Sequence, residues 1–176
     1  MEFLIILLAD YLVAPILLLA AWAVLRLPAK KRWQAIARGV VVALTALLFA
    51  KIIAQFYQGE RPFETMGIKP GASYLPNPGF PSDHSLLVFT TVIVTYAATQ
   101  RRRLGIALLT MAVLVALGRV LAHVHTPLDV IGGALCAALA GVLWYGHRFR
   151  QAYGTPGVQA KSKTTVTKST RSKRSS

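Results

Sequence analysis

The chain has 176 residues, of which 55% are hydrophobic and 15% are charged, and its formal net charge is +14. This length favours a single domain. Charges are almost absent from several apolar runs that are long enough to cross a bilayer, which takes about 20 residues. These runs also lack the polar stripe of a soluble helix. The composition therefore argues against a soluble helical bundle and predicts an integral membrane protein.

Five apolar runs are predicted to form transmembrane helices: residues 3–25, 39–58, 84–100, 104–122 and 128–146. The first run follows Glu2, has no early Lys or Arg, and is too long for the apolar part of a signal peptide, so we expect it to be retained as a helix. The predicted fold class is all-α, a bundle of about five transmembrane helices. The predicted domain covers residues 1–150, and a basic tail follows at 151–176.

The basic residues are distributed unevenly along the chain. Sixteen of the 20 fall on one side of the predicted bundle: after the first run, between the third and fourth runs, and after the fifth. The positive-inside rule makes that side cytoplasmic. The N-terminus and the loops 59–82 and 119–127 are then outside. The tail is rich in Lys, Ser and Thr and too poor in apolar residues to order itself. We expect it to be disordered and attracted to anionic lipid, not to nucleic acid.

The first polar cluster at the outer face is KIIAQFYQGERPF, residues 51–63. Lys51 comes near the end of the second run, where a lysine often extends its ammonium to the interface without a further role. Arg61-Pro62 closes the helix and opens the long outer loop, because proline does not fit a helix interior. The cluster therefore supplies two cations at the outer face.

The second cluster is NPGFPSDHS, residues 77–85, which leads into the third run. Ser82 or Asp83 can cap the start of that helix. The free N–H groups of its first turn, which contains His84, form an anion site together with the positive end of the helix dipole. Either residue alone can equally be a simple cap.

The third cluster is GRVLAHVHTPLDV, residues 118–130. Arg119 ends the fourth run, and Asp129 follows His125 by four residues, which places both on one face if helical geometry extends back to His125. A carboxylate there can hold the imidazole in one tautomer. A lone histidine near a helix end is more often structural. Ionisable residues gathered at a membrane are nevertheless functional hypotheses.

Together the clusters bring two histidines and an aspartate beside three cations, Lys51, Arg61 and Arg119. A metal site is one interpretation of the histidines and the aspartate. It is disfavoured because three fixed cations would repel a metal, whereas arginine matches the oxygens of a phosphate. One histidine can then attack phosphorus, and the other can protonate the leaving oxygen. This interpretation requires no metal and no cofactor.

These residues resemble the three-part signature of the type 2 phosphatidic acid phosphatase (PAP2) superfamily, written K-x6-R-P, P-S-G-H and S-R-x5-H-x3-D. The third part matches as Arg119, His125 and Asp129, with Gly118 in place of the leading serine. The second part appears as PSDH, residues 81–84, with aspartate in place of glycine. Together with the first part, three motifs occur in the right order on the same predicted membrane face, which is a specific signal for the superfamily.

The first part of the signature departs further from the pattern. Arg61-Pro62 is present, but nine residues instead of six separate Lys51 from Arg61. The PSDH variant and the R-P-F ending resemble the bacitracin-resistance branch, the undecaprenyl pyrophosphate phosphatases. The resemblance covers about residues 51–130, and the other helices serve as scaffold.

The resemblance implies a role for each matching residue. His125 would be the nucleophile, Asp129 its orienter and His84 the general acid. The groups that would bind the substrate phosphate are Arg61, Arg119, Ser82, the backbone at Asp83 and, with its altered spacing, Lys51. No metal is implied. His123 lies outside the pattern and is interpreted as structural or peripheral.

The implied function is hydrolysis of a polyprenyl diphosphate at the outer face of a bacterial inner membrane, with a lipid phosphate as substrate and the bilayer as surroundings. Within the same superfamily, the alternatives are a phosphatidylglycerophosphate or phosphatidate phosphatase, or a lipid A phosphatase or phosphotransferase. An alternative of another class is a membrane protein that only binds lipid head groups. The His125–Asp129 pair argues against it, because a binder needs no such pair. The sequence makes no prediction of oligomeric state.

Overall fold

The computed structural model describes residues 2–57, 59–74 and 79–153, and it describes side chains up to residue 146. The chain divides into two units, residues 1–145 and 146–176. The first unit holds every predicted site residue. Residues 154–176, most of the predicted tail, lie outside the described part, as do residues 75–78 of the loop that is predicted to be outside.

The described chain is helical: α1 (Glu2–Leu25), α2 (Ala29–Ile53), α3 (Pro62–Met66), α4 (Asp83–Thr99), α5 (Arg102–Leu121) and α6 (Pro127–Tyr153). Four helices are long and apolar enough to cross a membrane: α1, α2, α5 and the part of α6 from Pro127 to Gly146. The fifth predicted run forms α4, whose 17 residues extend about 25 Å. The prediction of an all-α membrane protein is confirmed.

Helix α2 differs most from its predicted position. It begins at Ala29, ten residues before the predicted start at 39, and ends at Ile53 instead of 58. The basic residues Lys30 to Arg38 therefore belong to the helix and not to a connecting loop. Lys, Arg, Ala and Gln are good helix formers, and their charge keeps this end of the helix at the membrane surface without ending it.

Helix α1 contains a π-helical segment, Leu7–Tyr11, between the α-helical segments Glu2–Ile6 and Val13–Leu25. The segment ends at Tyr11. Pro15, four residues later, has no N–H and so cannot donate a helical hydrogen bond to the carbonyl of Tyr11. Single π-helical turns are frequent at functional sites. The segment carries Asp10, the acidic residue within the first predicted run.

Helix α4 is the centre of the bundle and packs against α1, α2 and α5. The buried positions are mostly small or branched, such as Ala46 on α2 and Val88 on α4, whereas large side chains such as Leu44 and Leu139 are exposed. Small residues let membrane helices approach closely without a hydrophobic driving force. This distribution is the one expected of a bundle surrounded by lipid.

Candidate active site

Arg61 lies where the chain leaves α2 and enters the short helix α3. Its backbone N–H donates to Oε2 of Glu64 at 3.2 Å, which caps α3. Its guanidinium is buried, with 4% of the residue exposed, and Nη1 donates to the carbonyl of Val124 at 2.8 Å. The ring of Tyr74 lies against the guanidinium, with the Cζ atom 5.4 Å from the ring centroid. Arg61 is therefore fixed beside His125, the residue that follows Val124.

Ser82 caps α4, and it is one of the two residues, Ser82 or Asp83, that the sequence analysis predicts as the cap. Its hydroxyl accepts from the N–H of Ser85 at 3.4 Å. Its own N–H donates to the carbonyl of Asp129 at 2.9 Å, which joins the start of α4 to the start of α6. Ser82 is fully buried, and Asp83 and His84 are half-buried in the first turn of the helix. The positive end of α4 therefore lies at the site.

Two glycines allow α6 to reach the start of α4. A Cβ atom on Gly133 would lie 2.6 Å from the carbonyl oxygen of Ser82 and 2.9 Å from the nitrogen of Leu86. A Cβ atom on Gly132 would lie 2.5 Å from the ring of Phe80. Any larger residue at Gly133 would push the two helices apart. These glycines are part of the site because they bring the second and third clusters together.

His125 and Asp129 form the predicted pair, but not by the predicted geometry. Helix α6 begins at Pro127, so His125 lies in the turn before it. Nδ1 of His125 is 3.6 Å from Oδ2 of Asp129, and both residues are at most 4% exposed. This distance exceeds a hydrogen bond, although catalytic hydrogen bonds are often long until substrate binds. With Nδ1 facing the carboxylate, Nε2 is the nitrogen left to react.

Asp129 also caps α6, a role that the sequence analysis missed. Oδ2 of Asp129 accepts from the N–H of Thr126 at 2.7 Å, and Oγ1 of Thr126 accepts from the N–H of Asp129 at 3.2 Å. This reciprocal arrangement is a capping box. The signal was present in the sequence as T-P-L-D, with threonine three residues before an acidic residue. The cap fixes the carboxylate that faces His125.

The electrostatic surroundings of the imidazoles place the clusters in one site. Burial lowers the pKa of His125 below its ordinary value of 6.5, and the charges of Arg119 and Arg61 lower it further, while Asp129 opposes the shift. His84 lies within electrostatic range of Arg119 and His125. The lowered pKa favours the neutral imidazole, the form that the predicted nucleophile requires.

Arg119 is almost completely buried, with 1% of the residue exposed, at the end of α5. Its Nη1 atom lies 2.7 Å from Oδ1 of Asp10 in the π-helical segment of α1. Its Nε atom has no hydrogen-bond partner among the described residues. The sequence analysis missed Asp10, because a contact across 109 positions leaves no local signal in the sequence.

Lys51 and His123 are exposed, unlike the residues of this cluster. Lys51 lies in the last turn of α2, where a cation also stabilises the negative end of the helix. It is not among the main influences on the pKa of His125. His123 is exposed and left-handed, with φ 57°, and its carbonyl accepts from the N–H of Phe63 at 3.0 Å. The structure thus gives His123 a backbone role in docking α3, in keeping with its structural interpretation.

The arrangement has the features of a site for a reactive anion. Arginines, a helix N-terminus and two histidines converge at one end of the bundle. Among the residues that the structure describes, no three His, Cys, Asp or Glu side chains are grouped as metal ligands. Fold and site together define a helical membrane protein with a buried cationic centre beside a His–Asp pair.

The chain belongs to the PAP2 superfamily, whose profile matches residues 34–152. This match confirms the resemblance found in the sequence, and membership supports a phosphatase. The four apolar helices, together with bacterial relatives, indicate a protein of the bacterial inner membrane.

Two relatives place the chain near the bacitracin-resistance branch. One is the putative undecaprenyl-diphosphatase YbjG of Escherichia coli K12, 31% identical over 120 residues, which cover 64% of this chain and 60% of the relative. The other is the bacitracin transport permease protein BcrC of Bacillus licheniformis, 29% identical over 108 residues, 60% of this chain and 52% of the relative. The chain thus spans between half and two thirds of the length of these relatives. No solved structure matches it significantly.

Proposed function

We propose that this protein is a lipid phosphatase that hydrolyses a polyprenyl diphosphate to the monophosphate at the outer face of the membrane, through a phosphohistidine on His125. The observation that carries the proposal is the burial of His125, Asp129, Arg61 and Arg119 beside the N-terminus of α4. Burying this many ionisable groups is costly unless they are paired or bind a ligand. A bound phosphate would offer an acceptor to Nε of Arg119, which has no hydrogen-bond partner among the described residues.

The proposed reaction assigns one step to each group. Nε2 of His125 attacks the terminal phosphorus, the P–O bond to the lipid monophosphate breaks, and His84 gives its proton to the leaving oxygen. Arg61, Arg119 and the first turn of α4 stabilise the charge on the transferring phosphoryl group. Water then attacks the phosphohistidine, His84 takes up a proton from it, and inorganic phosphate leaves. Lys51 is proposed as an outer phosphate contact, and no metal takes part.

A groove supports the assignment of a lipid substrate. A cavity of about 500 Å³ lies between α1, α2 and α4, and it is lined by apolar residues such as Leu17, Ala35, Gly39 and Leu86. It also reaches Asp83, the first residue of α4 and a neighbour of both Ser82 and His84. A hydrocarbon chain in this groove would leave its phosphate group at the site. The proposed occupant is the polyprenyl chain of the substrate.

The function is tested by phosphate release from the detergent-purified protein. The substrates are undecaprenyl diphosphate, phosphatidylglycerophosphate, phosphatidate and lipid A, each assayed with and without EDTA. We expect release to be fastest from undecaprenyl diphosphate, to be insensitive to EDTA, and to be lost in His125→Ala but kept in His123→Ala. Release from none of these lipids would refute the proposed function. Loss in EDTA with recovery on adding a divalent ion would refute the metal-free mechanism.

A further inference from the structure

One carboxylate outside the superfamily signature contacts both sides of the site. Oδ1 of Asp10 lies 2.7 Å from Nη1 of Arg119. Oδ2 of Asp10 accepts a 2.9 Å hydrogen bond from the backbone N–H of Ser73 in the outer loop. The next residue, Tyr74, places its ring against the guanidinium of Arg61. Asp10 therefore supports Arg119 directly and Arg61 through the loop.

The approach of Asp10 depends on the glycine that departs from the superfamily pattern. A Cβ atom on Gly118 would lie 2.7 Å from the backbone nitrogen of Ala9 and 2.9 Å from the carbonyl carbon of Leu8. Both neighbours are backbone atoms of the π-helical segment, so they cannot move aside as a flexible side chain could. A serine at position 118 would push this segment, and Asp10 with it, away from Arg119.

We infer that Asp10 is a positioning residue for the two phosphate-binding arginines. We also infer that Gly118, which has no side chain, lets the backbone of α1 pack closely enough for Asp10 to reach Arg119. This inference rests on the proposed function. With Nη1 held by Asp10, the guanidinium cannot rotate, and its other N–H groups keep one orientation toward the phosphate. Arginine recognises phosphate through a rigid planar fork, so a fixed orientation matters more here than it would for lysine.

An opposite electrostatic effect makes the inference sharply testable. A carboxylate near the site also repels an anion, so removing its charge would tighten phosphate binding if Asp10 did nothing else. Arg119 and Ser73 contact different oxygens of Asp10, and asparagine replaces one of these oxygens with an NH2 donor, so in this geometry Asp10→Asn loses one of the two contacts. A positioning role predicts weaker anion binding, and a charge effect alone predicts tighter binding.

The test measures binding of orthovanadate, which adopts the five-coordinate geometry of phosphoryl transfer, by calorimetry on the purified full-length protein. For Asp10→Asn we expect the vanadate Kd to rise about 10-fold or more, with a similar fall in kcat/KM, since misplacement by about 1 Å can cost this much. A purely structural defect would lower the fraction of protein that binds but leave Kd unchanged. An unchanged or lower Kd would overturn the inference.

Gly118→Ala provides a second variant, and Gly141→Ala is its control. The nearest atoms that a Cβ atom on Gly141 would meet belong to the side chain of Ile93, at 2.7 Å, ten residues along α4 from Asp83. We expect Gly118→Ala to raise the vanadate Kd, the double variant with Asp10→Asn to show less than the sum of the two effects, and Gly141→Ala to bind as wild type. If Asp10→Asn and Gly118→Ala both fail to fold while Gly141→Ala folds, Asp10 serves the fold and the inference is refuted. A wild-type protein that neither binds vanadate nor releases phosphate refutes the proposed function itself.

Discussion

One carboxylate oxygen of Asp129 faces both the imidazole of His125 and the backbone N–H that it caps at the start of helix α6. Oδ2 of Asp129 lies 3.6 Å from Nδ1 of His125 and 2.7 Å from the backbone nitrogen of Thr126. The cap determines where this oxygen is, and the imidazole makes use of that position. A structural role and the proposed catalytic role therefore coincide in one side chain, and substitutions can separate them.

Asp129→Asn and Asp129→Ala should separate the two roles. Asparagine keeps an acceptor for the N–H of Thr126, so we expect near wild-type thermal stability but a fall in kcat of at least about 100-fold, because the imidazole loses its charged partner. Alanine also removes the hydrogen bond from Thr126 and should cost about 0.5–1.5 kcal/mol of stability in addition. Thermal unfolding and phosphate release of both variants provide the comparison. If the Asn variant keeps full activity, Asp129 has no catalytic role and acts only in the cap of α6.

Lys51 is expected to contribute less than Arg119. Its ammonium is exposed, so solvent and salt screen its attraction for phosphate, whereas the guanidinium of Arg119 is buried. We expect Lys51→Ala to raise KM by less than about 10-fold and Arg119→Ala to lower kcat/KM by more than about 100-fold. Lys69→Ala, a change at another exposed lysine, in the loop that follows α3, is the control. Equal losses for Lys51→Ala and Arg119→Ala would contradict the ranking.

The pH dependence of kcat/KM should reflect the buried histidine. Burial lowers the pKa of His125 below 6.5, and only the neutral imidazole can attack phosphorus. The neutral form of His125 is therefore lost only as the pH falls through this lowered pKa, whereas the alkaline limb depends on the proton that His84 donates. We expect the acidic limb of the kcat/KM profile, which reports the free enzyme, to have its midpoint below pH 6.5. His123→Ala should leave this limb unchanged, and a midpoint above 6.5 would contradict the prediction.

The outer location of the site is tested by cysteine labelling in a Cys136→Ala background. Ser73→Cys is suitable because Ser73 is exposed and its contact with Asp10 uses the backbone N–H. We expect this cysteine to react with a membrane-impermeant thiol reagent in intact spheroplasts, and a cysteine introduced by Ser169→Cys to react only after permeabilisation. The opposite pattern would place the site in the cytoplasm and refute recycling of a carrier lipid released outside.

The motif residues could be predicted from the sequence because local patterns identify them. Arg61 precedes a helix-starting proline, Ser82 has the chemistry of a cap, and His125 and Asp129 keep a fixed spacing in a turn too short to vary much. Each lies at the end of a helix, and helix ends are identified by local composition. The structure brings Arg61, His84, Arg119 and His125 to one end of the bundle, as the order of the apolar runs predicts.

The contacts of Asp10 and Gly118 could not be predicted in the same way. Asp10 lies inside an apolar run, and its partner Arg119 is 109 positions away, so neither periodicity nor spacing connects them. Gly118 reads as a lost serine in the motif until its distance from the backbone of Ala9 is known. The early start of α2 was missed because hydropathy identifies where lipid surrounds a helix and not where the helix begins.

Trapping the phosphoenzyme is the most direct test of the proposed chemistry. The purified protein is mixed with undecaprenyl diphosphate that carries a radioactive label in its terminal phosphate, and the reaction is stopped in alkali, in which phosphohistidine survives. We expect labelled protein from wild type and from His123→Ala, loss of the label on acid treatment, and no labelled protein from His125→Ala. A label retained by His125→Ala, or an unlabelled wild-type protein that still releases phosphate under these conditions, would contradict a phosphohistidine at this position.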